Sequence, residues 1–90
     1  MQVDLSKKAN KFLCSLATKQ AKQIVHKMQE LENFGTTYDS TKLHSLQGNY
    51  YRATAGEFRL IYRIDQVITI SLIGKRNDSE IYLDFDRMPK

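Results

Sequence analysis

Phe58-Arg59-Leu60-Ile61-Tyr62-Arg63-Ile64, then Asp65-Gln66, then Val67-Ile68-Thr69-Ile70-Ser71-Leu72-Ile73, decides how this chain folds. Two runs rich in β-branched and aromatic residues flank a pair of turn-forming residues, the pattern of antiparallel strands joined tightly. Strand side chains alternate between faces. In the first run Phe58, Leu60, Tyr62 and Ile64 therefore share one face, and Arg59, Ile61 and Arg63 the other. In the second run Ile68, Ile70 and Leu72 share a face. Upstream, Tyr50 to Thr54 reads as a further strand, joined through Ala55-Gly56-Glu57.

A sheet with one apolar face needs a cover, and the first third of the chain supplies it. Ser6 offers an N-cap for a helix through about Leu16, with Ala9, Phe12, Leu13 and Leu16 at helical spacing. Thr18 offers a cap for a second helix, whose stripe is Ala21, Ile24, Val25, Met28 and Leu31. Lys19, Lys22, Lys27 and Glu30 occupy the remainder, and Gly35 is a natural stop. Gln2 to Leu5 reads as a short first strand, Gly35 to Gly48 as loop, and Ile81 as the start of a short fourth strand. The expected fold is α+β, with an N-terminal helical hairpin on one face of a small, mainly antiparallel sheet of three to four strands. The expected extent is a single domain over residues 1–90. The helices are expected over Phe58, Leu60, Ile68 and Ile70, which leaves the face of Arg59 and Arg63 open.

A chain of this size buries roughly 60–65% of its unfolded surface, enough for one modest core. Any site is then an open groove and its substrate large. Fourteen Lys and Arg against ten Asp and Glu give a formal charge of +4, which leans toward polyanions or acidic proteins. The same excess also suits an ordinary basic surface. Cys14 is the sole cysteine, so no intramolecular disulfide or cysteine-rich zinc site is possible. It is expected on the apolar side of the first helix as a small core residue. His26 reads as solvated, and His44, in the loop, is a minor candidate for a general base. Two histidines without carboxylates at ligand spacing argue for no metal, and no glycine-rich phosphate loop is present. No cofactor is expected. No apolar run approaches 18 residues, so no membrane span is expected and the cytoplasm is.

The last strand leads into Gly74-Lys75-Arg76-Asn77-Asp78-Ser79-Glu80-Ile81-Tyr82. Strand ends hold side chains rigidly, and the planar fork of arginine matches phosphate. In a meander, Arg52, Arg59, Lys75 and Arg76 come from three adjacent strands and are expected to converge on one concave surface. Tyr50, Tyr51 and Tyr82 would supply aromatic faces beside them, the arrangement that holds single-stranded RNA. Solvated cations and ordinary strand-forming tyrosines would give the same pattern. Asp78 and Glu80 flank Arg76 and could orient it, whereas Tyr62 shares parity with Leu60 and belongs to the core.

Tyr51-Arg52-Ala53-Thr54-Ala55-Gly56-Glu57-Phe58-Arg59-Leu60-Ile61-Tyr62, followed by Ile73-Gly74-Lys75-Arg76-Asn77-Asp78-Ser79-Glu80-Ile81-Tyr82, resembles the RelE branch of the RelE/ParE toxins. These are the toxin halves of bacterial toxin–antitoxin pairs. Lys42-Leu43 resembles the family's approach to its sheet, so the likeness spans roughly residues 41–82. The resemblance implies an endoribonuclease that cuts messenger RNA in the A site of the 70S ribosome. The 2′-hydroxyl attacks the adjacent phosphate and leaves a 2′,3′-cyclic phosphate. By that resemblance Arg59 stabilises charge on the phosphate, Arg76 faces the leaving 5′-oxygen, and Tyr82 stacks on or orients the nucleotide. Arg52 binds backbone, with Lys75, Lys42 and Tyr51 as further RNA contacts.

The chain departs from the family in its first long strand, where RelE-like enzymes often carry two lysines. Here that strand reads Tyr50-Tyr51-Arg52, and arginine is too basic for a conventional general base. Tyr50, Tyr51, Lys42 and groups of the ribosome stay open as the base. Alternatively catalysis rests on positioning and charge stabilisation. The resemblance also implies a cognate antitoxin, acidic and partly disordered, with operator DNA engaged only through the antitoxin complex. Leu83 to Lys90 reads as a mobile tail or a short helix. Two other readings stand beside the nuclease. One is a ParE-like toxin that poisons DNA gyrase, although such chains generally lack the Lys-Arg…Ser-Glu-x-Tyr combination. The other is a non-catalytic module binding nucleic acid or a partner.

Overall fold

A computed structural model of the chain describes residues 1–35, 40–43, 48–77 and 79–88. Five strands, β1 (Val3–Leu5), β2 (Thr41–Leu43), β3 (Tyr50–Ala55), β4 (Phe58–Ile64) and β5 (Ile68–Lys75), form one sheet ordered β1-β5-β4-β3-β2. Three helices accompany them: α1 (Lys7–Cys14), α2 (Thr18–Phe34) and α3 (Glu80–Arg87). From β2 to β5 the sheet is an antiparallel meander, and β1 joins the far edge in parallel, Val3 opposite Ile68. The α+β architecture with a helical hairpin is as expected. The strand count is higher, because β2 forms within the stretch expected to be loop. Ile81 lies in a helix rather than a fourth strand. Ile81 and Phe85 stand one helical turn apart and bury a stripe together, with Asp84 and Asp86 outside it.

Ser6 caps α1 as anticipated. Its Oγ accepts from the Ala9 N–H at 3.1 Å and donates to the Ser71 carbonyl at 2.8 Å. In α2 the N-cap is Ala17, without a side-chain bond, so Thr18 lies inside the helix rather than before it. Gly35 ends α2, its N–H on the Leu31 carbonyl. The fully buried stripe of α2 is Ile24, Lys27 and Leu31, whereas Val25 is 41% exposed at its edge. Lys27 buries its stem and carries its ammonium out to Glu30 at 3.2 Å. Cys14 is exposed. At 100° per residue it lies about 140° round the helix from buried Ala9, and so misses the sheet.

The first core places Ile24, Leu31 and Ala9 of the helices on Phe58, Leu60, Tyr62, Ile68, Ile70 and Ile73 of the sheet. The opposite face, expected to be open, carries α3. Ile81 and Phe85 pack there on Tyr50, Ile61 and Leu72 as a second core. Leu72 belongs to this second face, not to that of Ile68 and Ile70, because β5 carries a bulge. Ile61 pairs with Leu72 but Tyr62 with Ile70, so Ser71 is an extra residue and parity reverses beyond it.

The β3–β4 hairpin turns at Gly56, whose φ of 61° an L side chain rarely adopts. An added Cβ would also run into the Gln23 carboxamide, which accepts from the Glu57 N–H at 2.8 Å. Gly56→Ala is therefore expected to lower stability by about 1–3 kcal/mol, from left-handed strain and the lost tie to α2. Thermal unfolding of the variant checks this, and an unchanged midpoint would contradict it.

Candidate functional site

Arg52 on β3 and Arg59 on β4 point to the α3 side of the sheet, and Tyr82 of α3 meets both. The Tyr82 hydroxyl accepts from Arg52 Nη1 at 2.7 Å and from Arg59 Nη1 at 2.8 Å. The guanidinium carbons stand 6.0 and 5.8 Å from the ring centroid, at the outer reach of a cation–π contact. The hydrogen bonds at the ring's rim define the arrangement. With both guanidiniums on its oxygen, the phenol keeps its own O–H as a donor. Gly74 makes this possible. It pairs with Arg59, and a Cβ there would stand 3.0 Å from the Ile81 Cβ. The bare backbone lets α3 come close enough for Tyr82 to reach the two arginines.

All three side chains are half-buried. Among the described residues neither arginine makes an ion pair with a carboxylate. Two like charges converging without a counter-charge favour an incoming anion. Their forks also suit the non-bridging oxygens of a phosphodiester. Among the described residues no group of three His, Cys, Asp or Glu could hold a metal ion. No helix among them is long and apolar enough to cross a membrane.

The other residues singled out in the sequence lie elsewhere. Arg76 follows β5 directly, its backbone N–H on the Glu57 carbonyl at 2.8 Å. The exposed residue lines a groove beside α2 together with Lys22 and Thr54. Lys75, exposed at the end of β5, lines another groove with Lys8 and Lys11 of α1. Tyr51 sits on the helical-hairpin face, stacked on Tyr62 with centroids 5.8 Å apart. Lys42 is exposed on β2 as the register partner of Tyr51, so it shares that face. Tyr50 is buried against Phe85, with Arg63 over its ring. Tyr62 is fully buried, as expected. Glu80 opens α3 and lines the Lys75 groove. His44 and Asp78 lie outside the described residues.

α2 brings Lys22 to the groove that Arg76 lines. Periodicity placed it on a polar face, but nothing local shows which part of the sheet that face borders.

A family model, the ParE toxin of type II toxin–antitoxin system, parDE, matches residues 3–80. An archaeal RelE–RelB complex from Pyrococcus horikoshii OT3 is similar at a TM-score of 0.73 and 26% identity, over 84% of this chain and 94% of that one. The isolated E. coli RelE toxin is similar in fold at a TM-score of 0.69 and 21% identity, over 96% and 95% of the two chains. A RelB–RelE complex from Methanococcus jannaschii gives a TM-score of 0.65 and 19% identity, over 96% and 99%. No curated protein matches the sequence.

Proposed function

The chain belongs to the ParE toxin family of type II toxin–antitoxin systems and has a RelE-like fold, and from that premise we propose that it is a ribosome-dependent endoribonuclease acting on messenger RNA. The observation that carries this reading is the convergence of Arg52, Arg59 and Tyr82, with no carboxylate paired to either arginine among the described residues. A phosphodiester entering there exchanges phenol contacts for its own oxygens. The two forks then bind the non-bridging oxygens and offset the charge that grows as the 2′-hydroxyl attacks. The Tyr82 O–H donates to the same group or aligns the adjoining ribose. The P–O5′ bond breaks and the departing 5′-oxygen takes a proton from a donor outside the trio or from water, leaving a 2′,3′-cyclic phosphate and a 5′-hydroxyl. These three side chains contribute by alignment and charge stabilisation. The proton on the 2′-hydroxyl leaves to a group outside the trio.

A cognate antitoxin would hold this activity in check, with operator DNA bound through the toxin–antitoxin complex. Two of the similar structures are RelE–RelB complexes, which supports a protein partner of that kind. An acidic chain folding onto this basic surface would bind less tightly as salt rises.

Expression of the chain alone, with transcript 5′ ends mapped on translating ribosomes, tests the proposal. In-frame cuts at codon positions are expected. The match to a ParE model favours one second reading, a gyrase poison without nuclease activity. Gyrase–DNA adducts accumulating beside intact transcripts would replace the first reading by the second.

A further inference from the structure

Arg63 is a third guanidinium on the face of Arg52 and Arg59, and the mechanism above gives it no part. β3 and β4 pair without a break from Ala55 opposite Phe58 to Tyr50 opposite Arg63. Arg59, Ile61 and Arg63 alternate onto the α3 side of β4, and Arg52 stands opposite Ile61. The cations therefore follow one another in the order Arg59, Arg52, Arg63. Each is two residues further along the sheet, a step of about 6.5–7 Å. All three are half-buried, so α3 borders the row without covering it.

Local packing fixes where Arg63 reaches. Its guanidinium carbon lies 5.9 Å from the centroid of the Tyr50 ring. That ring is buried and edge-on to Phe85, with centroids 5.2 Å apart, so it serves as a fixed floor. Gly48 lies against both groups: a Cβ there would stand 3.2 Å from Arg63 Nε and 3.2 Å from Tyr50 Cε2. Among the described residues the carboxylate partner of Arg63 is Asp65, at 3.8 Å and with its side chain 69% exposed. At that separation no hydrogen bond forms, and so exposed a pair offsets the charge only weakly. The Arg63 side chain, 43% exposed, can turn its fork to an incoming anion.

We propose that Arg63, seated on Tyr50, is a second phosphate station, which holds the RNA linkage adjoining the scissile one. The inference rests on the nuclease reading above, which puts the scissile phosphate at Arg52 and Arg59. A single strand carries one negative charge per nucleotide, and cations in a row at a regular step track such a backbone. A strand leaving Arg52 along β3 meets the Arg63 guanidinium next, over Tyr50. The contact grips the backbone and touches neither the attacking nor the leaving oxygen. It acts by holding the strand in register, so its effect should not depend on the flanking base.

The test is single-turnover cleavage of a short messenger RNA on programmed ribosomes, with one linkage made a neutral methylphosphonate. That linkage adjoins the scissile phosphate on its 5′ or its 3′ side, after a 2′-deoxy sugar that keeps it intact. The reference is the same RNA with an ordinary phosphate there. On the reference, Arg63→Gln should cut about tenfold more slowly than wild type at subsaturating protein, the cost of one charge-assisted contact. One of the two neutral linkages should slow wild type to the same degree and slow Arg63→Gln no further. Partial unfolding of the variant would slow every RNA alike and so cannot produce that coupling. Arg63→Lys should recover part of the rate, and changing the flanking base should leave the ratio of wild type to variant as it was. Lys11→Gln, on α1, is the charge-matched control and should cut as wild type does. Cleavage by Arg63→Gln at the wild-type rate, an equal loss in Lys11→Gln, or losses that multiply at both linkages would overturn the station and leave the nuclease reading standing. A wild type that cuts none of these RNAs removes both proposals together.

Discussion

Arg59→Ala is expected to reduce transcript cleavage about 10²–10³-fold, the usual cost of removing one preorganised donor from a site of developing charge. The same substitution should leave the fold intact, and the reason lies in what Arg59 touches. Its described side-chain partner is the Tyr82 hydroxyl, which Arg52 also binds. Losing a charge-assisted bond costs stability, but removing one of two crowded like charges restores some of it. The melting point should therefore move by less than about 4–8 °C, the equivalent of 1 kcal/mol in a domain of this size. Arg59→Lys keeps the charge but not the fork, and should recover only part of the activity. Cleavage at the wild-type rate by Arg59→Ala would remove the residue from the mechanism. A collapse in melting point matching the activity loss would make its role structural.

Phe85→Ala carries the second large effect, and it should be local. Phe85 is buried in the second core, its ring edge-on to Tyr50 with centroids 5.2 Å apart. Truncating a buried phenylalanine typically costs about 3–5 kcal/mol. α3 has eight residues, far too few to persist undocked. Its surface ion pair, Lys8 to Asp84 at 3.5 Å, adds little. The cheapest response is for α3 to leave the sheet while the first core stays closed. Amide exchange at Tyr82 to Met88 should quicken at least about a hundredfold, with Leu60 and Tyr62 still protected. Cleavage should fall as well, since Tyr82 departs with the helix, and Phe85→Leu should recover much of both. Equal loss of protection in β4 and α3 would show that the two cores unfold as one unit.

The meander and the helical hairpin were legible because each rests on a strong period, and the shared side of Arg52 and Arg59 because both lie on known strand faces, whereas Tyr82 entered through the family resemblance. Leu72 was misplaced because a bulge leaves no side-chain signature, and everything after Ser71 inherits the reversed parity. α3 was obscured because eight residues hold barely two turns, and Ile81 with Tyr82 alone reads equally well as strand. Arg76 lies beyond the last strand pair, where the pleat no longer dictates direction. Tyr51 could have been excluded from the arginine face. It adjoins Arg52 on one strand, and neighbours on a strand cannot share a side. Lys42 carries the same lesson through its register with Tyr51.

At Ser71 the way the backbone pairs matters more than the side chain it carries. Among the described residues its hydroxyl makes only a long 3.5 Å bond to the Thr69 carbonyl, while its backbone oxygen receives the Ser6 hydroxyl. Many side chains would serve there, but if Ser71 paired regularly with Ile61 the strand would slip by one, placing Gly74 opposite Phe58 and turning it toward the hairpin layer. The clearance beneath Ile81 would vanish, and Tyr82 would lose its approach to the arginines. The approach of Tyr82 to the two arginines thus depends on a fault in backbone pairing at a position whose side chain is interchangeable.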